Sequence, residues 1–313
     1  MIQLSGGDKA TVRLQEIIYT WLARLRPARE MMPEDPLSVL ANGRPRARWE
    51  MAAKMGRVQG PLATTALVGA LADPEPLVRS QAGDALIRLG ERVALPPLLD
   101  ALNQPPARRQ AAAADALGRL KVTDAVPALI NALRHRDPGV RTSAALALGA
   151  IGQADVILAL SDLLTDPVPG VRWAAMRALS MVRPTTGDGQ ALATTVTALG
   201  ERLTDGEEHW QIRREAARTV ARLGAGSSLA ERLLICALSD ANSQVRWEAA
   251  TGLGIAGGAG ALVELEALLE DEASAGQDSV AMAARRAIER IEQRLAKSAG
   301  RERSGRALPF RQP

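Results

Sequence analysis

The chain of 313 residues has little of what much protein chemistry depends on. Its one cysteine, Cys236, excludes an internal disulfide framework and any multi-cysteine metal site. Its two histidines, His135 and His209, stand far apart in sequence and leave no usual imidazole triad or acid–base pair. Aromatics make up only 2%, with one Phe and one Tyr, although hydrophobic residues reach 47%. Alanine and leucine must then fill the interior, which suits closely packed helices and suits sheets poorly. No apolar run approaches the ~18 residues of a membrane span. The opening "MIQLSGGDKA" lacks the basic and apolar regions of a secretory signal. The expectation is a soluble, cytoplasmic protein with no membrane span.

Phosphate-binding motifs are missing as well. There is no G-x-x-x-x-G-K-[ST], and "GLGIAG" (Gly252–Gly257) matches G-x-G-x-x-G late in an expected helix with no strand before it. The net charge is +4. From Lys297 to the end, five basic residues (Lys297, Arg301, Arg303, Arg306, Arg311) face one acid, Glu302. The remaining 296 residues carry 34 basic and 34 acidic side chains. A neutral body argues against a duplex-binding surface built on phosphate contacts.

What is present is a repeat. Arg48, Arg79, Gln110, Arg141 and Arg172 are each 31 residues apart, and Leu40, Leu71, Leu102, Leu133 and Leu164 keep the same period. A sustained fixed period marks a stacked array. The register then stretches, with Arg213 41 residues after Arg172, Arg246 33 further on and Ala281 35 beyond that. Each repeat reads as two helices, here A and B. In "AVPALINALRHRDPGVRTSAALALGAIG" helix A spans about Pro127 to Arg134, Asp137 caps helix B, Pro138 is its first residue and Gly152 closes it. In helix B, Val140, Ala144, Ala147, Leu148 and Ile151 share one face. The recurring alanines Ala82, Ala144, Ala175, Ala216 and Ala249 would let adjacent repeats approach, and no repeat could bury its face alone. The fold class is all-α, an α-solenoid with a period of about 31 residues.

The string D-P-x-x-V-R-x-x-A-x-x-A-L-x-x-L/I-G resembles the short HEAT-like repeats of the phycobilisome-lyase type, in full over residues 60–183 and more loosely over 35–296. In that family the Asp before helix B and the Arg near its start commonly pair into a ladder between units. The resemblance implies pairing of Asp73, Asp137 and Asp166 with Arg79, Arg141 and Arg172, a break at Gln104 and Gln110, and further rungs at Arg213 and Arg246. Such repeats serve adaptors, chromophore-lyase subunits and enzyme appendages alike. The His-Glu pairs of HEAT-repeat di-iron hydroxylases are absent.

Three regions follow. Residues 1–34 hold an amphipathic capping helix (Leu14, Ile17, Ile18, Trp21, Leu22, Leu25) and a linker, residues 35–296 the solenoid, and residues 297–313 a disordered basic tail. Insertions at Arg183–Gln190, Thr204–His209 and Asp271–Ser279 account for the stretched register and belong to loops. His209 with Glu207 and Glu208 could be written as a metal site, but acids before a helix are what its dipole favours, so no metal is expected. Cys236 reads as a buried, inert thiol.

The candidate partner-binding residues come from the B helices. Counting each from its Val-like residue as zero, Trp49, Trp173 and Trp247 stand at position 2, roughly 200° from that residue at ~100° per step, and so face away from the core. Arg214 holds the same place between Trp173 and Trp247, with Trp210 one turn before it. Arg177 and Glu248 complete the set, Glu248 as an exposed helix charge. Small residues at position 9 (Gly56, Ser180, Gly254) would also let each Trp lie flat on its own helix or against its neighbour, so packing and binding remain open. The functional expectation is a non-catalytic scaffold or adaptor that binds a protein along the concave face, without catalytic residues or cofactor. The alternatives are a bilin-lyase-like subunit holding a tetrapyrrole or its apoprotein, an enzymatic role implied by resemblance only, and a nucleic-acid binder, for which the tail is better suited than the body.

Overall fold

The computed structural model describes residues 35–305 except 59, 186 and 277, with no side-chain account of 299–305. The expected capping helix in residues 1–34 and the last residues of the tail, 306–313, lie outside the described residues. The described residues form sixteen α-helices and four short 3-10 turns, with no strand among them. The all-α reading of the sequence holds. Contacts divide the chain into two compact units that meet between Ala147 and Leu148.

In the first unit the A helices are α1 (Pro36–Asn42), α3 (Pro61–Ala70), α5 (Glu91–Asn103) and α7 (Val126–Ala132). The B helices are α2 (Pro45–Met55), α4 (Pro76–Leu89) and α6 (Ala107–Leu120), followed by α8 (Pro138–Ile151), in which the unit boundary falls. Each A helix packs on the next A helix, and α2, α4 and α6 pack in sequence. The period explains the core. Leu67, Leu71, Leu98, Leu102, Leu129 and Leu133 from the A helices are buried against Val78, Ala82 and Leu86 of α4 and their counterparts. Each full leucine burial contributes ~1.5–3 kcal/mol before entropy is counted. Prolines start several helices, since the first N–H groups have no partner within the helix to lose. Asp137 caps α8 as expected, accepting from the Gly139 amide at 2.8 Å, and Gly152 leaves that helix at φ +79°.

In the second unit the A helices are α9 (Ile157–Asp162), α11 (Gly189–Thr204), α13 (Ser228–Ala237) and α15 (Leu262–Glu266). The B helices are α10 (Pro169–Leu179), α12 (Trp210–Leu223), α14 (Ser243–Ala256) and α16 (Val280–Gly305). Again the B helices pack one on the next in order. Helix α16 runs through the expected boundary at residue 296 to Gly305, so the start of the stretch expected to be disordered is helical. Before that boundary, the Arg294 guanidinium caps the end of α14 by donating to the carbonyl oxygens of Gly254 and Gly257, the latter at 2.6 Å.

Two expectations change. Cys236 is exposed, not buried: α13 turns Ala230, Leu234 and Ala237 inward, and position 236 falls on the opposite side. The small residues at position 9 do not make a bed for tryptophan. They abut position 7 of the next B helix, where a Cβ on Gly56, Gly118, Gly149 or Gly254 would lie 2.8, 2.5, 2.5 or 3.2 Å from the Cα of Ala85, Ala147, Ala178 or Ala287. Ser180 keeps the same place, and Thr219 at position 7 of α12 donates to the Met176 carbonyl at 3.2 Å. The close approach between B helices therefore runs along this seam.

Candidate partner-binding face

Two sets of arginines stand out. The first is the ladder. Arg48 grips Asp73 with two hydrogen bonds of 2.7 and 2.9 Å, Arg172 grips Glu208 at 2.8 and 2.7 Å, Arg213 grips Asp240 at 2.7 and 3.0 Å, and Arg246 grips Asp271 at 2.8 and 3.2 Å. Each pair joins the Arg of one repeat to the acid of the next. This corrects the pairing of Asp73 with Arg79 and of Asp166 with Arg172 within one repeat. There the Arg Nη1 donates to the backbone carbonyl of the acidic residue instead, at 2.8 Å in both cases. The Asp73 carboxylate also caps its own turn, accepting from the Glu75 amide at 2.8 Å. The Asp137 carboxylate likewise caps its own helix, while Arg141 Nη1 donates to the His135 carbonyl at 2.8 Å. The expected break is present: Gln110 donates to the Leu102 carbonyl, and Arg79 forms no ion pair among the described residues.

The ladder absorbs two of the insertions. Glu208 lies in Thr204–His209 and Asp271 in Asp271–Ser279, and both are rungs. Glu208 is thereby buried and engaged, and His209 caps α12 by accepting from the Gln211 amide at 3.3 Å. No group of metal-ligating side chains occurs among the described residues. Burial by itself would raise the Asp73 carboxyl, but the Arg48 hydrogen bonds, the Glu75 amide and the nearby arginine charges outweigh it and hold it below the usual carboxylate value. The Asp271 carboxyl is lowered by its hydrogen bonds to Arg246, against the opposing effect of burial.

The second set, Arg177 and Arg214 on B helices of the second unit, has no acidic partner among the described residues. Helix α10 turns Val171, Ala175, Ala178 and Leu179 inward, which leaves Trp173 36% exposed and Arg177 exposed one turn on. The Arg177 guanidinium lies 6.0 Å from the Trp173 ring centroid, and that of Arg214 lies 5.6 Å from the Trp210 ring. Neither Arg177 nor Arg214 has an ion-pair partner among the described residues, and the Arg214 Nε is buried without an acceptor. Trp210, Arg214 and Trp247 are half-buried. The helices carrying Trp173, Arg214 and Trp247 are consecutive neighbours. Trp49, in the first unit, is 42% exposed.

Glu248 does not belong to the exposed set. It is 5% exposed and accepts two hydrogen bonds from Arg218, at 3.1 and 2.8 Å. Arg218 also reaches Glu215, itself 1% exposed, at 3.4 Å. Position 3 of a B helix faces the neighbouring B helix, so these two carboxylates share one guanidinium in the α12–α14 seam. Sequence reasoning missed this cluster because no spacing within one helix announces a pair made between two.

Matches to the HEAT-repeat pattern span residues 34–118, 105–180 and 196–302. The chain belongs to the HEAT-repeat family. Comparison with curated protein sequences finds no match. Among solved structures, the Escherichia coli protein YibA is similar over 87% of this HEAT-repeat chain and 96% of its own, at 18% identity and a TM-score of 0.58. An engineered protein is similar over 85% and 82%, at 22% identity and a TM-score of 0.51. The complex of CpcE and CpcF of phycocyanin lyase from a Nostoc species is similar over 83% and 94%, at 25% identity and a TM-score of 0.39. The first two support the α-solenoid fold. No described helix is long and apolar enough to cross a membrane.

Proposed function

We propose that this HEAT-repeat protein is a non-catalytic adaptor that binds a protein partner along the B-helix face of its second unit, through Trp173, Arg177, Trp210 and Arg214. The observation that carries the reading is the contrast between the two sets of arginines. Ladder arginines spend their hydrogen-bonding capacity inside the fold, whereas Arg177 and Arg214 are stacked on tryptophans with no carboxylate partner among the described residues. Tryptophan and arginine are the side chains that most often dominate binding energy at interfaces. Stacking also holds each guanidinium in place, so less rotamer entropy is lost on binding.

Affinity capture from native lysate tests this, comparing wild type with the double variant Trp173→Ala/Arg177→Ala. Both positions are exposed, so helicity by circular dichroism should be unchanged. The expected result is a protein retained by the wild type and lost by the variant, in an eluate without visible-range absorbance or nucleic acid. Identical eluates refute the reading. A pigment, or nucleic acid released steeply by salt, transfers the face to the bilin or nucleic-acid alternative.

A further inference from the structure

Beyond the stacked pairs, the same unit contains a small cavity of 240 Å³ between α14 and α16. Trp247 and Thr251 line it from α14, Arg286 and Arg290 from α16, and Asp278 from the loop before α16. Its polar groups are unbalanced. The Trp247 Nε1–H is buried without an acceptor among the described residues. Thr251 and Arg290 make no side-chain hydrogen bond or ion pair among the described residues, and Arg286 is committed to Asp278. Indole and guanidinium groups only donate, and a buried donor without a partner is uncommon enough in native proteins to need an explanation.

We propose that this cavity is an anchor site for a carboxylate side chain, Asp or Glu, of an acidic protein partner. The proposal rests on the adaptor reading above and names the chemistry its partner must bring. Charge fixes the class of ligand. With Asp278 neutralising Arg286, one free guanidinium remains, which matches one carboxylate in a two-pronged hydrogen bond. Asp278, which also lines the cavity, would repel a doubly charged phosphate more strongly than a single carboxylate. Size agrees, because the cavity is below the ~300–1,000 Å³ that encloses a drug-sized molecule and suits one inserted side chain. The surroundings favour an acidic approach: from Val280 to Ser298, α16 carries Arg285, Arg286, Arg290, Arg294 and Lys297 against Glu289 and Glu292.

The test follows the indole N–H resonance of Trp247 by nuclear magnetic resonance in the full chain, assigned by its loss in Trp247→Phe. The probe is acetyl-Ala-Glu-Ala-amide, compared at constant ionic strength with acetyl-Ala-Gln-Ala-amide, inorganic phosphate and chloride. The expected result is a saturable shift with the Glu peptide alone, weakened about tenfold or more in Arg290→Gln, as loss of a charge-assisted hydrogen bond implies. The other indole resonances should stay in place in Arg290→Gln and report an intact fold. Equal shifts with the Gln peptide or chloride, or no shift, overturn the proposal. Tighter binding of phosphate replaces the partner side chain by a phosphorylated ligand and overturns it too. If the resonance is silent while capture still depends on Trp173 and Arg177, the adaptor reading stands and the anchor site alone fails.

Discussion

Two glycines of the first unit should respond oppositely to the same substitution. Gly83 in α4 and Gly118 in α6 are both buried in B helices. Replacing an interior helical glycine by alanine ordinarily stabilises by ~0.5–1 kcal/mol, because the unfolded chain loses freedom. At Gly83 a Cβ meets only the Ala116 Cβ, at 3.7 Å, an ordinary contact. Gly83→Ala should therefore stabilise by ~0.5–1 kcal/mol. At Gly118 the Cβ would lie 2.5 Å from the Ala147 Cα and 2.7 Å from its Cβ. Carbon atoms rest at ~3.5–4.0 Å, so the helices would have to part by about 1 Å along a seam made of backbone. Overpacking of this kind costs ~1–3 kcal/mol, more than the propensity gain. Gly118→Ala should lower the melting temperature by a few degrees, at ~2–4 °C per kcal/mol for a protein of this size class, and Gly83→Ala should raise it. Thermal melts of both variants by circular dichroism decide the matter. A Gly118→Ala variant as stable as wild type would refute the seam as the element that sets the spacing of B helices.

Removal of Arg218 tests the buried cluster. Breaking a fully buried pair costs ~3–5 kcal/mol; the Arg218 side chain is 40% exposed, so about 2–3 kcal/mol is expected for Arg218→Gln at pH 7. Urea midpoints of wild type and variant at pH 7 measure the loss, and equal midpoints would show that the cluster contributes nothing to stability. The ladder should respond to pH. Asp73 and Asp271 have folded pKa values below their ordinary ones, so the stability they lend is present above about pH 4 and is lost as pH falls through the folded values. Arg48→Gln and Arg246→Gln should each flatten that acid limb of the urea midpoint, and an unchanged limb would show that the rungs contribute nothing.

The sequence by itself determined the repeat, the all-α class, the two-helix unit and most of the core. These rest on local rules that act within one helix: the leucine period, proline at the first helical residue, Asp137 as cap and the 3.6-residue face of Val140, Ala144 and Leu148. It also placed Trp173 outward, because that direction follows from helix phase alone. Tertiary structure decided what depends on the offset between neighbouring helices. That offset chose the acid each ladder arginine grips, in the following repeat, brought Glu208 and Asp271 from insertions into the rungs, and buried Glu248 beneath Arg218. It also made the glycines of position 9 the closest contacts between B helices and gathered Trp247, Arg286 and Arg290 around one cavity. The physical reason is reach. A guanidinium or carboxylate extends far enough to choose between its own repeat and the next, and only the distance between the two backbones makes that choice.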